Sequence, residues 1–221
     1  MKKAVCLISG GLDSYVAATI AKHNGYSIFA LTLRYGQKNN REISCAKKIS
    51  AKLQAEEHLI LDIDLSWVDS ALTNKKIQIA NTYPLSEIPA TYVPARNTIF
   101  ISLAIAFAET IDAEEIYLGI NSVDFSGYPD CKPEYIKKFQ SLLNVATKKT
   151  CEGRHIKLNA PLINLSKSEI IKEGDKLKVD FSITWSCYRN NEKPCGICPS
   201  CILREKGFKE ANIKDLAIKN K

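Results

Sequence analysis

The 221-residue chain has no stretch near the ~20 consecutive apolar residues that a membrane span requires. Its longest greasy run, residues 99–108, is too short for that and reads as a buried helix. Two lysines precede a short apolar run at 4–8, but that run meets Ser9-Gly10-Gly11 with no cleavage site of the export kind. The expected location is therefore cytoplasmic, with no membrane partner. Histidine is scarce: His23, His58 and His155 have no metal-type spacing and read as structural. Internal repeats and low-complexity tracts are absent, which excludes solenoids and arrays. A Walker loop ending in Gly-Lys-Ser/Thr is missing, as is the spaced-glycine dinucleotide fingerprint. No dense basic block appears away from the termini. The net charge of +7, from 31 basic and 24 acidic residues, thus reads as a lysine-rich solvated surface, with attraction to nucleotides left open.

What is present is an alternation of two periodicities. Residues 4–8, 27–35, 57–63, 115–119 and 156–159 read as short strands. Residues 14–24, 41–53, 97–110, 134–147 and 166–177 read as helices, the second with Ile43, Ala46, Ile49 and Leu53 on one face opposite Lys47, Lys48 and Lys52. Ser166-Lys167-Ser168-Glu169 has the pattern of a capping box. Residues 65–94 are irregular, and beyond the last helix the reading gives only a cysteine cluster and a short basic tail. Strands alternating with helices predict an α/β fold with a doubly wound parallel sheet. The expected division is residues 1–180 as the main domain and 181–221 as an extension packed on it.

Ser9-Gly10-Gly11-Leu12-Asp13-Ser14 stands between the first strand and the first helix. Such a turn aims free backbone N–H groups and the positive end of a helix dipole at one point, a ready phosphate site. Ile8 through Ser14 are therefore candidate ATP-binding residues, with Ser9 and Ser14 as added hydroxyl donors. Asp13 is out of place beside phosphates unless a cation bridges them; it reads as a magnesium contact or as a helix cap. Cys187, Cys195, Cys198 and Cys201 fall within fifteen positions, and two of the intervals are two-residue steps. Four thiolates at that spacing suit a closed structural zinc site; an iron–sulfur cluster and a redox dithiol are the alternatives.

The glycine string after the first strand resembles the signature of the N-type ATP pyrophosphatases, the PP-loop family. That resemblance implies an adenine nucleotide alpha hydrolase-like fold, ATP as co-substrate, and adenylation of a carbonyl or carboxyl oxygen. Val93-Pro94-Ala95-Arg96-Asn97, the segment 119–131, Tyr35-Gly36-Gln37 and the four-cysteine end are similar to one branch of this family. In that branch a carboxylated 7-deazapurine, ammonia and ATP give a nitrile, a precursor of the tRNA nucleoside queuosine. The resemblance also implies a homodimer and no direct contact with nucleic acid. The pattern departs at one place: Arg-His is expected after Tyr-Gly-Gln, and Lys38-Asn39 stand there instead.

Within these segments, Asp124 and Asp130 are candidate acceptors for the N–H edge of a deazapurine, and Phe125 or Tyr128 could stack on its ring. Asp130 has turn chemistry as its alternative, and Asp124 a solvated loop position. Arg96 is a candidate phosphate contact or else a surface ion pair. Lys167 occupies a helical first turn, where the dipole disfavours a cation; an anion such as pyrophosphate, or plain solvent, would explain it. Asp13, Arg96 and Lys167 are the expected catalytic residues, and the base that would keep ammonia neutral stays unassigned. Two other functions stay open on the sequence: tRNA thiolation, and a zinc-stabilised nucleic-acid-binding module.

Overall fold

The computed structural model describes residues 1–81, 88–124 and 127–217. Five strands pair in parallel: β1 (Lys3–Leu7), β2 (Ser27–Arg34), β3 (Glu57–Asp62), β4 (Glu115–Tyr117) and β5 (Lys157–Asn159). Their order is β3-β2-β1-β4-β5. The helices are α1 (Leu12–His23), α2 (Arg41–Lys52), α3 (Arg96–Thr110), α4 (Pro133–Ala146), the short α5 (Lys148–Cys151), α6 (Lys167–Lys176) and α7 (Pro199–Ala211). This is the doubly wound parallel sheet that the alternation predicts. No helix among the described residues is long and apolar enough to cross a membrane.

β1 is central, and its alternating side chains divide the core. Ala4 and Cys6 pack with Val16 of α1, Ala46 of α2, Ile170 of α6 and Phe208 of α7. Val5 points to the other face, among Ile101 and Ala104 of α3 and Phe139 and Leu143 of α4. A strand buried on both faces has no polar side to show, which is why 4–8 is apolar throughout. The chain lays β2 and β3 on one side of β1, then returns to place β4 and β5 on the other. That reversal opens a crevice at the carboxyl ends of β1 and β4, where doubly wound sheets bind ligands.

The C-terminal reading needs correction. Residues 199–211 are not a basic tail but helix α7, started by Pro199 after the cap residue Cys198. Phe208 meets Phe181 edge-on at 5.3 Å. Arg204, which made this segment look basic and solvated, is 5% exposed and pairs with Asp215 at 2.6 Å. Sparse apolar positions between charged ones hid the helix. The capping box of α6 does form: Ser166 accepts from the Glu169 amide, and Glu169 accepts from the Ser166 amide at 2.8 Å.

Gly119, just past β4, brings the two sides of the crevice together. A Cβ there would stand 2.6 Å from both the nitrogen and the Cα of Ser14. Neither side is a flexible side chain, so Gly119→Ala forces backbone apart. We expect a loss on the order of 2 kcal/mol, read as a lower urea midpoint. An unchanged midpoint would show that β4 and α1 do not need this approach.

Candidate active site

The turn after β1 is held by its own serines. Ser14 Oγ donates to the Gly11 carbonyl at 2.9 Å and accepts from the Ser9 amide and hydroxyl, each at 3.1 Å. The Gly11 amide donates to Ser9 Oγ at 3.3 Å. The serines expected to reach phosphate thus tie the turn. The first amides of α1 lack partners within the helix and point from its N-terminus. Gly10 has φ +89°, and a Cβ on it would lie 2.2 Å from the Glu42 carbonyl oxygen. No L side chain fits that conformation and that gap together.

Asp13 is not the cap of α1: Gly11 holds the cap position, and Asp13 is the second helical residue. Its carboxylate receives the Lys167 ammonium, 2.7 Å from each oxygen. Asp124 Oδ2 lies 3.2 Å from the same ammonium, and the Lys167 and Asp124 side chains are each 6% exposed. Lys167 and Asp124 are therefore not solvated, which removes the bland alternative for both. Two carboxylates share one cation, so the cluster is left with one negative charge. Burial pushes the Asp124 carboxyl above its ordinary range; Lys167 opposes that and Asp13 adds to it. The loops meet because Asn121 donates to the Leu162 and Leu165 carbonyls and Ser122 Oγ to Ile163 O at 2.6 Å. Those bonds pin the loop after β4 to the loop entering α6.

Arg96 opens α3 and faces the crevice between Tyr35 and Phe100, its guanidinium carbon 5.9 and 6.0 Å from their ring centres. No ion pair to Arg96 is found among the described residues, so the surface-pair alternative has no partner there. Glu42, in the first turn of α2, lines the same cleft. Burial pushes its carboxyl up to about 7, against the lowering effect of Arg96.

Tyr128 is buried, lines the cleft, and bonds its hydroxyl to Thr91 Oγ1 at 2.7 Å. Asp130 is buried behind the wall and accepts from the Asn97 amide at 3.2 Å. The residue preceding α3, Ala95, is left-handed (φ 55°) and has no capping side chain. Asp130 supplies that cap from the following loop. Phe125 lies outside the described residues.

The thiol sulfurs of Cys187, Cys195, Cys198 and Cys201 all lie within 4.8 Å of one another. A tetrahedron of ~2.3 Å zinc–sulfur bonds has edges of about 3.8 Å, so the set fits one ion after slight contraction. Amides of Asn190 and Cys195 point at Cys187 Sγ, both at 3.4 Å, and the Cys198 amide points at Cys195 Sγ at 3.3 Å. N–H groups aimed at sulfur favour thiolates, as does the α7 N-terminus next to Cys198. This loop is sewn to the glycine turn: the Trp185 amide donates to the Gly10 carbonyl at 2.9 Å.

Residues 3–212 match the family described as queuosine biosynthesis protein QueC. The chain belongs to this family. The 7-cyano-7-deazaguanine synthase of Coxiella burnetii is 52% identical over 218 residues, covering 97% of this chain and 96% of that one. That of Nitrosospira multiformis is 48% identical over 219 residues, covering 98% and 94%. Among solved structures, a 4-thiouridine synthetase–RNA complex with bound ATP superposes with a TM-score of 0.52 at 18% identity, over 94% of this chain and 53% of that one. This last likeness shows the fold alone. The QueC membership agrees with what the segments at 35–37, 93–97 and 119–131 imply.

Sequence reading missed three residues at this QueC site. Glu42 sits on an amphipathic helix whose buried stripe hides an acid at its start. Trp185 gave no motif, and Asn39 stood out only as part of the departure after Tyr-Gly-Gln, with no role assigned. For Glu42 a signal existed: an acid in the first turn, three positions after the break that follows Tyr-Gly-Gln. Its raised pKa has a thermodynamic sign. A carboxyl harder to ionise in the fold than in the unfolded chain gives stability that is full below its ordinary 4.5 and lost as pH rises through about 7. That rise is worth up to roughly 3 kcal/mol. Glu42→Gln is expected to flatten this part of the stability–pH curve and to stabilise the protein at pH 8; a curve identical to the parent's would refute the burial cost.

Proposed function

We propose that the chain is an ATP-dependent carbon–nitrogen ligase that converts 7-carboxy-7-deazaguanine and ammonia into 7-cyano-7-deazaguanine for queuosine biosynthesis. The observation that carries this reading is the 46–52% identity, along nearly the whole length, to enzymes of that name. The substrate carboxylate attacks the α-phosphorus of ATP and pyrophosphate leaves. Ammonia attacks the acyl carbon, AMP leaves, and an amide results. A second ATP activates the amide oxygen, and loss of AMP with the nitrogen's remaining protons leaves the nitrile.

Residues 8–14 would hold ATP, with Asp13 on the magnesium ion that accompanies it. The ammonium of Lys167 would then leave Asp13 for the pyrophosphate, and Arg96 would meet phosphate from the other wall. The deazapurine would lie against 119–131, with Tyr128 or Phe125 on its ring and Asp124 and Asp130 accepting from its N–H edge. Asp130 keeps a second oxygen beyond the one bonded to Asn97. Glu42 is our candidate for the base that takes a proton from ammonium, because its carboxyl titrates near neutrality in the cleft. The four cysteines would bind structural zinc, which four thiolates close to any substrate. We treat 181–221 as an extension on the 1–180 body, acting in the cytoplasm as a homodimer without direct nucleic-acid contact.

Incubation with ATP, magnesium, ammonium and 7-carboxy-7-deazaguanine should give the amide and then the nitrile by mass spectrometry; formation of neither would sink the proposal. Asp13→Ala is expected to lower turnover by on the order of 100-fold or more with metal content unchanged. Near-normal turnover in that variant would remove Asp13 from cation binding.

A further inference from the structure

Asn39 occupies the place where the family pattern leads one to expect histidine. It is 4% exposed and uses its whole side-chain amide. Its nitrogen donates to the Cys187 carbonyl at 2.6 Å and to the Asn190 carbonyl at 2.7 Å. Its oxygen accepts from the Arg41 amide at 2.8 Å, at the entry to α2. One residue later, the Glu42 carbonyl lies against Gly10, too close for any Cβ. The circuit closes on the other side. The Trp185 amide donates to the Gly10 carbonyl, and Trp185 Nε1 donates to the same Cys187 carbonyl at 2.9 Å.

We infer that Asn39 is a positioning residue that couples the cysteine-bound metal to the ATP turn. The ring Gly10–Trp185–Cys187–Asn39–Arg41–Glu42–Gly10 joins both sites through backbone groups and two buried side chains. Backbone bonded in this way cannot shift at Cys187 without displacing the α2 entry or Gly10. An amide is also the side chain that can do it. It offers two donors on one nitrogen and an acceptor beside them, whereas neutral imidazole has one donor and one acceptor. A carboxylate would set oxygen against two carbonyls.

Coupling of this kind is reciprocal: if the metal loop shapes the ATP turn, bound ATP must tighten zinc binding by the same factor by which zinc tightens ATP binding. The inference rests on the nucleotide reading of the glycine turn, so ATP binding is measured in the same samples by calorimetry. Zinc-loaded protein is mixed with a chromophoric chelator, with and without Mg·ATP, in the absence of the deazapurine. At equilibrium with the chelator, Mg·ATP is expected to raise the parent's zinc affinity by about 5-fold or more. Asn39→Ala and Asn39→His should bind one zinc but lose most of that gain, with KM for ATP raised more than kcat is lowered. Trp185→Phe, which removes the Nε1–H donor together with part of the buried ring, should lose part of it. ATP binding with unchanged zinc affinity in the parent overturns the coupling, and this needs no variant to fold. An undiminished gain in Asn39→Ala removes Asn39 from it. Absence of ATP binding in the parent fails the nucleotide reading itself.

Discussion

At Gly10 a Cβ would stand 2.2 Å from the Glu42 carbonyl, and at Gly119 one would stand 2.6 Å from the Ser14 backbone. Backbone is squeezed on both flanks of the β1–α1 turn, and the rest of the site follows from that squeeze. The close approach of α2 sets Glu42 at the cleft. The close approach of β4 sets 119–124 beside Asp13. The turn is thus held less by its own hydrogen bonds than by the two absent side chains that let three elements converge on it. A phosphate cradle needs this rigidity, because amides pay no reorganisation cost when already aimed.

Convergence of backbones also concentrates charge. Lys167 reaches the turn from α6 and meets Asp13 and Asp124, an arrangement in which one ammonium neutralises two half-buried acids incompletely. In an apolar interior that excess of negative charge is costly. Burial answers by raising the Asp124 carboxyl. A site held in this state favours arrival of a further cation, which would satisfy the acids and free Lys167 for an anion. The awkward first-turn lysine of α6 is thereby explained without reference to its helix dipole: its partners belong to other elements.

Much of this was readable from residue order. Short apolar runs and period-3.6 stripes located the five strands and most helices among the described residues, because a strand buried on both faces is apolar throughout and a helix buried on one face carries a stripe. The glycine string located the cradle. The failures share a cause. α7 was missed since its buried positions include Arg204, a residue whose burial depends on Asp215 and cannot be read locally. Asp130 serves α3, a helix thirty residues earlier, because Ala95 cannot cap it. Asn39 and Trp185 act on carbonyls far along the chain. Sequence periodicity reports which face is apolar; it does not report which distant backbone group a buried amide will satisfy.

Lys38-Asn39 shows what such a departure means physically. Lys38 lines the cleft, but its Nζ donates to the Ile77 carbonyl at 2.8 Å and is tied there to the irregular 65–81 region. Asn39, also on the cleft wall, gives its amide to the cysteine loop. An ammonium and an amide are both poor proton acceptors. A proton acceptor must then come from elsewhere in the cleft wall, and Glu42, in the first turn of α2 just after these residues, presents one whose affinity for protons burial has already raised. The departure from the histidine pattern and the near-neutral acid three positions on are, on this argument, two aspects of one arrangement: the first position fixes the loop, and the second lines the cleft.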